Sequence, residues 1–255
     1  MFKNIKRVAL FALCFSASYN LYAQTVTIGF DPTYAPFEFK LPDGSYSGFD
    51  YDLGEKLCKQ ANVECKWKEI SFDGIIPALQ AKKIDIILSA MAITAEREKQ
   101  VDFSVPLYNI PSALVVRKSN KITPENIKAG ANVGVTQGTI QESYALKFWA
   151  PKGINVVSYQ SQEQVYLDLE NNRLDATFTN AATATSAFLN TPQGKDFMIA
   201  SPTLSDEKYF GKGVGLAFRK SDLQLKDTFN QAITAIKTSD EYPKLAKKYF
   251  NFEMK

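Results

Sequence analysis

The residues best suited to chemistry lie between Ile84 and Arg97, which read IDIILSAMAITAER. Thr94 is a good helix N-cap, and the first turn after it offers free backbone N–H groups beside the Arg97 guanidinium. A guanidinium can hold a carboxylate with two parallel hydrogen bonds. The pattern therefore predicts a site for a small carboxylate. The alternative is a surface arginine paired with Glu96 or Glu98, a contact of little energetic value.

A buried strand must position this site. Residues 84–88 form a nearly continuous apolar run with β-branched members, which is typical of a parallel strand covered on both faces. Ser89, Ala90 and Ala92 then leave the backbone open at the carboxyl end of the strand. Open α/β sheets bind their ligands at this end.

The chain repeats this arrangement. Residues 72–90 and 162–181 share the order amphipathic helix, basic residue, aliphatic residue, aspartate, strand and small polar end. Residues 26–34 and 132–139 each combine a strand with a turn and a helix start. Repeated βαβ units with right-handed crossovers predict an α/β protein of two lobes, each with a mostly parallel sheet flanked by helices. One doubly wound sheet is the alternative, and a helical segment is predicted over residues 223–250.

The chain is expected to cross twice between the lobes. Residues 108–116 form an extended run with a proline, and residues 204–218 contain three glycines among apolar residues. We therefore expect residues 24–110 together with 205–255 to form lobe 1, and residues 111–204 to form lobe 2.

Charge and the N-terminal pattern exclude several classes of function. In residues 1–23, Lys3, Lys6 and Arg7 precede an apolar stretch that is too short to span a membrane. This pattern predicts an export signal that is cleaved near Ala23. Its removal takes three positive charges from the formal net charge of +3 and leaves 0. A neutral mature chain gives no support for binding nucleic acid or an anionic membrane.

Two cysteines remain after processing. Cys58 and Cys65 lie between a helical pattern and a strand-like pattern, and in an exported protein such a pair predicts a disulfide. Two buried thiols are the alternative. Zinc is disfavoured because the chain has no histidine and no second cysteine pair, and no cofactor is expected.

Several short motifs occur together. They are GFDYDL at 48–53, the cysteine pair, FDGIIPAL at 72–79, ITAER at 93–97 and KYFG at 208–211. Over essentially the whole mature chain they resemble the periplasmic solute-binding proteins of bacterial ABC importers for polar amino acids, especially the lysine/arginine/ornithine and histidine binders. The resemblance implies the type II periplasmic binding protein fold, in which two lobes on a two-strand hinge close on one ligand. It also implies a monomer in the periplasm that delivers its ligand to a membrane permease.

The resemblance implies roles for individual residues. Tyr34 and Phe72 match the two aromatic residues that sandwich the ligand's side chain. Arg97 matches the arginine that binds the α-carboxylate, together with backbone N–H groups at Ala92 and Ile140.

Acidic and neutral residues in the cleft determine which ligand end groups the resemblance predicts will bind. Asp31 matches the acidic residue that meets a basic side-chain terminus, and Asp50 is a weaker candidate. Ala92 and Asn180 stand where these binders carry a serine and an aspartate for the α-ammonium, and Thr136 makes the second lobe's wall more polar. The expected ligand-binding residues are Asp31, Tyr34, Asp50, Phe72, Ser89, Ala90, Met91, Ala92, Arg97, Thr136, Thr139, Ile140, Gln141 and Asn180.

The leading functional hypothesis is capture of a basic or polar amino acid or a derivative of one. An opine, which is an N-substituted amino acid, is the alternative, because related opine binders carry a similar pairing of asparagine and alanine. A dehydratase on the same fold is a further alternative in which Asp31, Glu38 or Asp50 would act as acid or base, although histidine is absent. A third alternative is an extracellular sensor domain.

Overall fold

The computed structural model describes residues 25–251, so the predicted export signal at residues 1–23 lies outside the described residues. The strands are β1 (Thr25–Phe30), β2 (Thr33–Tyr34), β3 (Glu38–Lys40), β4 (Tyr46–Ser47), β5 (Glu64–Glu69), β6 (Ile86–Ile87), β7 (Asp102–Phe103), β8 (Ser112–Arg117), β9 (Asn132–Thr136), β10 (Asn155–Tyr159), β11 (Ala176–Asn180), β12 (Phe197–Leu204) and β13 (Ala217–Phe218).

The α-helices alternate with these strands. They are α1 (Phe49–Gln60), α2 (Ile75–Gln80), α3 (Ala95–Glu98), α4 (Ile140–Phe148), α5 (Gln162–Glu170), α6 (Ala181–Thr183), α7 (Glu207–Phe210), α8 (Leu223–Lys237) and α9 (Glu241–Tyr249). A 3₁₀ turn at Phe72–Gly74 precedes α2, and α6 continues into a π-helical segment at Ala184–Leu189.

The strands form two five-stranded sheets of the same design. The first sheet has the order β5-β1-β6-β13-β7, and the second has the order β10-β9-β11-β8-β12. In each sheet the first three strands are parallel, and the fourth strand is antiparallel to both of its neighbours. Two sheets confirm the two-lobed α/β prediction and contradict the alternative of one doubly wound sheet. A small antiparallel sheet, β2-β3-β4, lies beside β1 in the chain.

Two antiparallel strands overlap the segments that were predicted to cross between the lobes. β8 covers the second half of the extended run at residues 108–116, and β13 ends the glycine-containing segment at residues 204–218. Tyr108 and Val214 also form an isolated antiparallel bridge, so the two segments lie side by side at this point.

Apolar side chains cover both faces of each sheet. On one face of the first sheet, Ile28 and Ile86 pack with residues of α1, α8 and α9, and on the other face Ile87 packs with α2. The second sheet likewise has one apolar cluster around Trp149 and Phe178 and another around Val165. Because both faces of these parallel strands are covered, their sequences are nearly continuous apolar runs.

The Cys58 and Cys65 side chains form a disulfide, as predicted. Their Cα atoms are 6.1 Å apart, and the bond joins the C-terminal end of α1 to the start of β5. By the chain-entropy argument, so short a loop stabilises the fold by roughly 2 to 3 kcal/mol.

The helical segment expected over residues 223–250 is two helices, α8 and α9. Pro243 explains the break, because a proline inside one continuous helix would clash with the carbonyl four residues earlier. In the first turn of α9 the missing N–H of Pro243 costs nothing, since the first N–H groups of a helix have no partner within it.

Within residues 25–251, no helix has the length and apolar character required to cross a bilayer. The same residues contain no group of three or more His, Cys, Asp or Glu side chains placed to hold a metal ion.

Candidate functional site

One cleft collects residues from the carboxyl ends of parallel strands in both sheets. Asp31 follows β1 and Ser89 follows β6, while Thr136 ends β9 and Asn180 ends β11. The full lining is Asp31, Thr33, Tyr34, Glu38, Phe72, Ser89, Ala90, Ala92, Arg97, Asn109, Ile110, Thr136, Thr139, Ile140, Gln141, Asn180, Phe210, Gly213 and Val214.

The predicted ligand-binding residues line this cleft, with the exception of Asp50 and Met91. Asp50 lies behind the wall on α1, where its carboxylate accepts hydrogen bonds from the Ala90 N–H at 2.8 Å and the Tyr108 hydroxyl at 2.7 Å. Met91 is buried and packs in the apolar cluster that contains Ile75.

Arg97 is buried in the cleft wall, with 9 % of its surface exposed. Thr94 caps α3 by accepting a hydrogen bond from the Arg97 backbone N–H, as the sequence predicts. The guanidinium donates to the carbonyl oxygens of Ala92 and Gly138, each at 3.0 Å, and lies 5.3 Å from the centre of the Phe72 ring.

No carboxylate of residues 25–251 forms an ion pair with Arg97. Glu96 pairs with Lys99 and Glu98 approaches Lys212, so the surface-pair alternative is wrong. Burial lowers the pKa of Arg97 to about 10, which leaves it charged at neutral pH. A buried guanidinium in this state is suited to binding an anion.

Carboxylates occupy another part of the cleft. Asp31 accepts from the Thr33 hydroxyl at 2.8 Å and from the Phe72 backbone N–H at 2.9 Å. Burial raises the pKa of Asp31 above its ordinary value, although these hydrogen bonds act in the opposite direction. Glu38 on β3 is fully enclosed and accepts from the Ser89 hydroxyl at 2.9 Å.

Two contacts join the sheets across the cleft. The Tyr34 hydroxyl lies 3.3 Å from the Thr179 hydroxyl oxygen and accepts from the Asn180 backbone N–H at 3.3 Å. The Arg97 guanidinium provides the second contact through the Gly138 carbonyl. The cleft is therefore closed, with its two walls in direct contact.

Asn180 has a defined orientation. It is the N-cap of α6, and its Oδ1 accepts from the Ala182 N–H at 2.8 Å and the Thr183 N–H at 3.5 Å. Because a side-chain amide nitrogen cannot accept these bonds, the amide cannot be flipped, and only Nδ2 donors remain for a ligand.

Polar residues of the second sheet complete the wall. Thr136 donates to Gln162 at 2.9 Å, Gln141 donates to Ser112 at 2.8 Å, and Thr139 caps α4. These bonds fix the side chains of the wall, while the first-turn N–H groups of α4, including Ile140, remain unpaired within the helix.

The sequence analysis missed several lining residues. Asn109, Ile110, Phe210, Gly213 and Val214 belong to the two crossings, so their place beside the strand ends follows from the hinge topology. Glu38 was named only as a candidate acid or base in the dehydratase alternative and not as a ligand-binding residue. Thr33 could have been found as part of the turn before Tyr34.

Comparison with known proteins agrees with this fold. The profile of the bacterial extracellular solute-binding proteins, family 3, matches residues 26–252. The chain belongs to this family, and its fold is that of the type II periplasmic binding proteins.

Curated relatives in the family bind amino acids. The histidine-binding periplasmic protein of Escherichia coli (strain K12) is 45% identical over 241 residues, covering 94% of this chain and 92% of the relative. The lysine/arginine/ornithine-binding periplasmic protein of the same strain is 44% identical over the same shares of both chains.

Solved structures of amino acid-binding proteins share this fold. A Salmonella typhimurium periplasmic binding protein described for its high arginine specificity has a TM-score of 0.83 and 36% identity, covering 90% of this chain and 100% of that chain. An ancestral amino acid-binding protein, a precursor of cyclohexadienyl dehydratase, has a TM-score of 0.77 and 31% identity, covering 89% of this chain and 95% of that chain.

Proposed function

We propose that this protein is the periplasmic binding component of an ABC importer and captures a basic amino acid or a derivative of one. The observation that carries the proposal is the pair of unmatched charges in one cleft. Arg97 has no carboxylate partner among residues 25–251, and Asp31 and Glu38 have no cationic partner there. A ligand with a carboxylate and a cationic terminus satisfies both groups, and each charged hydrogen bond contributes roughly 1.5 to 3 kcal/mol.

The aromatic lining supports a ligand with an elongated side chain. Tyr34 and Phe72 both line the cleft, and their rings offer stacking surfaces for an aliphatic stem or a guanidinium plane. In this proposal Arg97 and the N–H groups at Ala92 and Ile140 bind the α-carboxylate. Asp31 and Glu38 bind the cationic end.

Closure couples binding to delivery. We assign residues 24–110 with 205–255 to lobe 1 and residues 111–204 to lobe 2, because each set contains the strands of one sheet. A ligand that touches both lobes favours the closed state by its difference in affinity for the closed and open states. A permease then recognises the closed shape.

Thermal unfolding of the mature, ligand-stripped protein against a panel of compounds tests the proposal. The panel is arginine, lysine, ornithine, histidine, glutamine, octopine and nopaline. A ligand present at 100 times its Kd stabilises the protein by about 2.7 kcal/mol, so the true class will raise Tm by several degrees. Absence of a shift with every basic compound would overturn the proposal.

An N-substituted amino acid is the second candidate, and Asn180 favours it. Oδ1 of Asn180 is occupied by the cap of α6, so this position offers N–H donors to a ligand. Ala92 adds a methyl group and no hydroxyl. A free α-ammonium gains no acceptor from either side chain, whereas a second carboxylate attached to the α-nitrogen would accept from Nδ2.

The Asn180→Asp variant separates the two candidates. An aspartate retains the cap through one oxygen and presents the other to an ammonium. If the wild-type cleft is adapted to N-substituted ligands, the variant will bind arginine at least tenfold more tightly, about 1.4 kcal/mol, and octopine more weakly. Unchanged affinity for arginine, measured by calorimetry, would favour a plain amino acid.

We further propose a binding protein without enzymatic activity. Support comes from the relatives, which are named as binding proteins, although a dehydratase precursor shares the fold. Incubation with prephenate or arogenate tests this, since product formation that depends on Asp31, Glu38 or Asp50 would establish an enzyme. Location in the periplasm after cleavage near Ala23 completes the proposal, and N-terminal sequencing of the exported protein checks it.

A further inference from the structure

Glu38 is a buried carboxyl group that lines the cleft, and one of its oxygens has no hydrogen-bond partner among residues 25–251. Its residue is 1 % exposed, it lines the cleft, and its Oε1 accepts from the Ser89 hydroxyl at 2.9 Å. Its Oε2 is buried and has no hydrogen-bond partner among residues 25–251. A buried carboxylate normally accepts hydrogen bonds that replace those it made to water. Oε2 of Glu38 accepts none from the described residues, so ionisation of this group is costly.

The titratable groups facing Glu38 are the carboxyls of Asp50 and Asp31 and the phenols of Tyr34 and Tyr108. Burial raises the pKa of both phenols, so they are uncharged at neutral pH. Asp50 projects from α1 and Asp31 from the end of β1, and both repel a negative charge on Glu38. The uncharged hydroxyl of Ser89 approaches from the end of β6. In the described part of the chain, none of the three carboxylates forms an ion pair with a lysine or arginine.

Burial favours a proton on each of the three carboxyls, and hydrogen bonding distinguishes Glu38 from the two aspartates. Asp31 accepts a hydrogen bond on each oxygen, from Thr33 and Phe72. Asp50 likewise accepts on each oxygen, from Ala90 and Tyr108. These donors favour the ionised forms of both aspartates, although burial outweighs them and raises the pKa of Asp31 above its ordinary value and that of Asp50 to about 7.

Glu38 has a donor on one oxygen only, so protonation of its Oε2 sacrifices no hydrogen bond. Burial, followed by the charges of Asp50 and Asp31, holds the pKa of Glu38 well above its ordinary value.

We propose that Glu38 carries a proton in the ligand-free protein and releases it to solvent when a cationic ligand terminus enters the cleft. The proton leaves Oε2 for water or buffer, and the resulting carboxylate accepts a hydrogen bond from the cationic group. This inference rests on the proposed function and adds that the ionisation of Glu38 depends on the charge of the ligand's terminus. A neutral ligand of the same shape leaves the proton on Glu38, which then donates to the ligand's carbonyl oxygen.

The first test is independent of any ligand. Protein labelled with ¹³C at the glutamate side-chain carboxyl is titrated by NMR, and the Glu38 resonance is identified by its loss in Glu38→Gln and again in Glu38→Ala. At pH 7 the Glu38 resonance is expected at the position of a protonated carboxyl. A shift typical of an ionised carboxylate at this pH would overturn the inference and leave the proposed function untouched.

The second test uses arginine and citrulline, which share a shape and differ in the charge of the terminus. Calorimetry in phosphate and in Tris, whose ionisation enthalpies differ, gives the number of protons released on binding. We expect about one proton for arginine and none for citrulline, and none for arginine with Glu38→Gln. Arginine binding without proton release would overturn the inference alone. Failure of every basic compound of the panel to bind would overturn the proposed function and, with it, the inference.

Discussion

The Arg97 guanidinium is fixed by hydrogen bonds to two backbone carbonyls, Ala92 beside it and Gly138 across the cleft. The bond to Ala92 lies within the first lobe, so it orients the guanidinium before the lobes close on a ligand. Less rotational freedom is then lost on binding than with a flexible cation.

Arg97→Lys should therefore weaken binding although it preserves the charge. A lysine ammonium cannot form the planar pair of hydrogen bonds, and we expect a Kd about 10 to 100 times higher for the ligand found in the panel. Arg117→Lys is the matched control, since Arg117 lies over Phe197 in the second sheet and lines no part of the cleft. Titration calorimetry measures both. Equal effects of the two substitutions would contradict a direct role for Arg97.

Glu38 should give stability a distinctive pH dependence. Its folded pKa lies above the ordinary value of 4.5, so between these two values the folded state binds more protons than the unfolded state. The free energy of unfolding must therefore fall as pH rises through that window, by up to about 1.4 kcal/mol per pH unit.

Glu38→Gln should remove the part of this fall that is due to Glu38 and make the protein more stable than wild type at neutral pH. The part due to Asp50, whose pKa burial raises to about 7, should remain. Urea unfolding of both proteins at several pH values measures the difference, and Glu55→Gln, at an exposed position of α1, controls for loss of a glutamate elsewhere. Parallel pH profiles for wild type and Glu38→Gln would show that Glu38 titrates normally.

At the scale of elements, local signals predicted most of the framework. Thr94 caps α3, α4 begins after the predicted turn at residues 132–139, and the aliphatic runs are buried parallel strands, because these features depend on neighbours in sequence. The break between α8 and α9 was missed although Pro243 marked it. The side-chain facing of Asp50 on α1 depends on how that helix packs, so sequence alone did not exclude it from the cleft wall.

The cleft residues from segments 108–116 and 204–218 could not be predicted from local sequence patterns. Phe210 and Val214 lie far in sequence from Asp31, and they reach the same cleft only because the chain returns to the first sheet. No local periodicity encodes such a meeting. Glu38 belongs to the same category, since its unmatched oxygen results from the joint placement of β1, β3, β6 and α1.

The turn before α4 contains Gly138, a residue that lets the two walls of the cleft approach closely. Gly138 has a φ of +76°, and a Cβ there would lie 2.9 Å from the Asp73 Cα across the cleft. Gly130 has a φ of +84° with open space around it, so it shares the backbone conformation without the contact. Alanine at either position should cost about 1 to 2 kcal/mol of stability.

Only Gly138→Ala should also weaken ligand binding, because its methyl group opposes closure against Asp73. We expect a Kd at least about tenfold higher than that of Gly130→Ala, with similar Tm values for the two variants. Fluorescence titration together with thermal unfolding checks both quantities. Equal Kd values would mean that the turn does not approach Asp73 when ligand is bound.

At the scale of the whole molecule, closure depends on few contacts relative to the two cores. Each sheet has apolar packing on both faces, whereas hydrogen bonds from Tyr34 and Arg97 join the sheets across the cleft. The lobes are therefore stable bodies, and a change of one or two kcal/mol in these contacts can shift the balance between open and closed states. Such a balance lets a ligand of moderate size control the shape of a much larger protein.

Tyr34→Phe tests this balance because it removes the hydroxyl that meets Thr179 and Asn180 and keeps the ring. Loss of contacts worth about 1 to 2 kcal/mol should shift the population toward the open state by roughly 5 to 30 times. Small-angle X-ray scattering should then give a larger radius of gyration for the ligand-free variant than for wild type, and equal radii at saturating ligand. Tyr159→Phe removes a hydroxyl that bonds to Asp168 on the side of the second sheet, and it should leave the radius unchanged. A radius for Tyr34→Phe equal to that of wild type, with unaltered affinity, would show that the Tyr34 hydroxyl does not hold the lobes together.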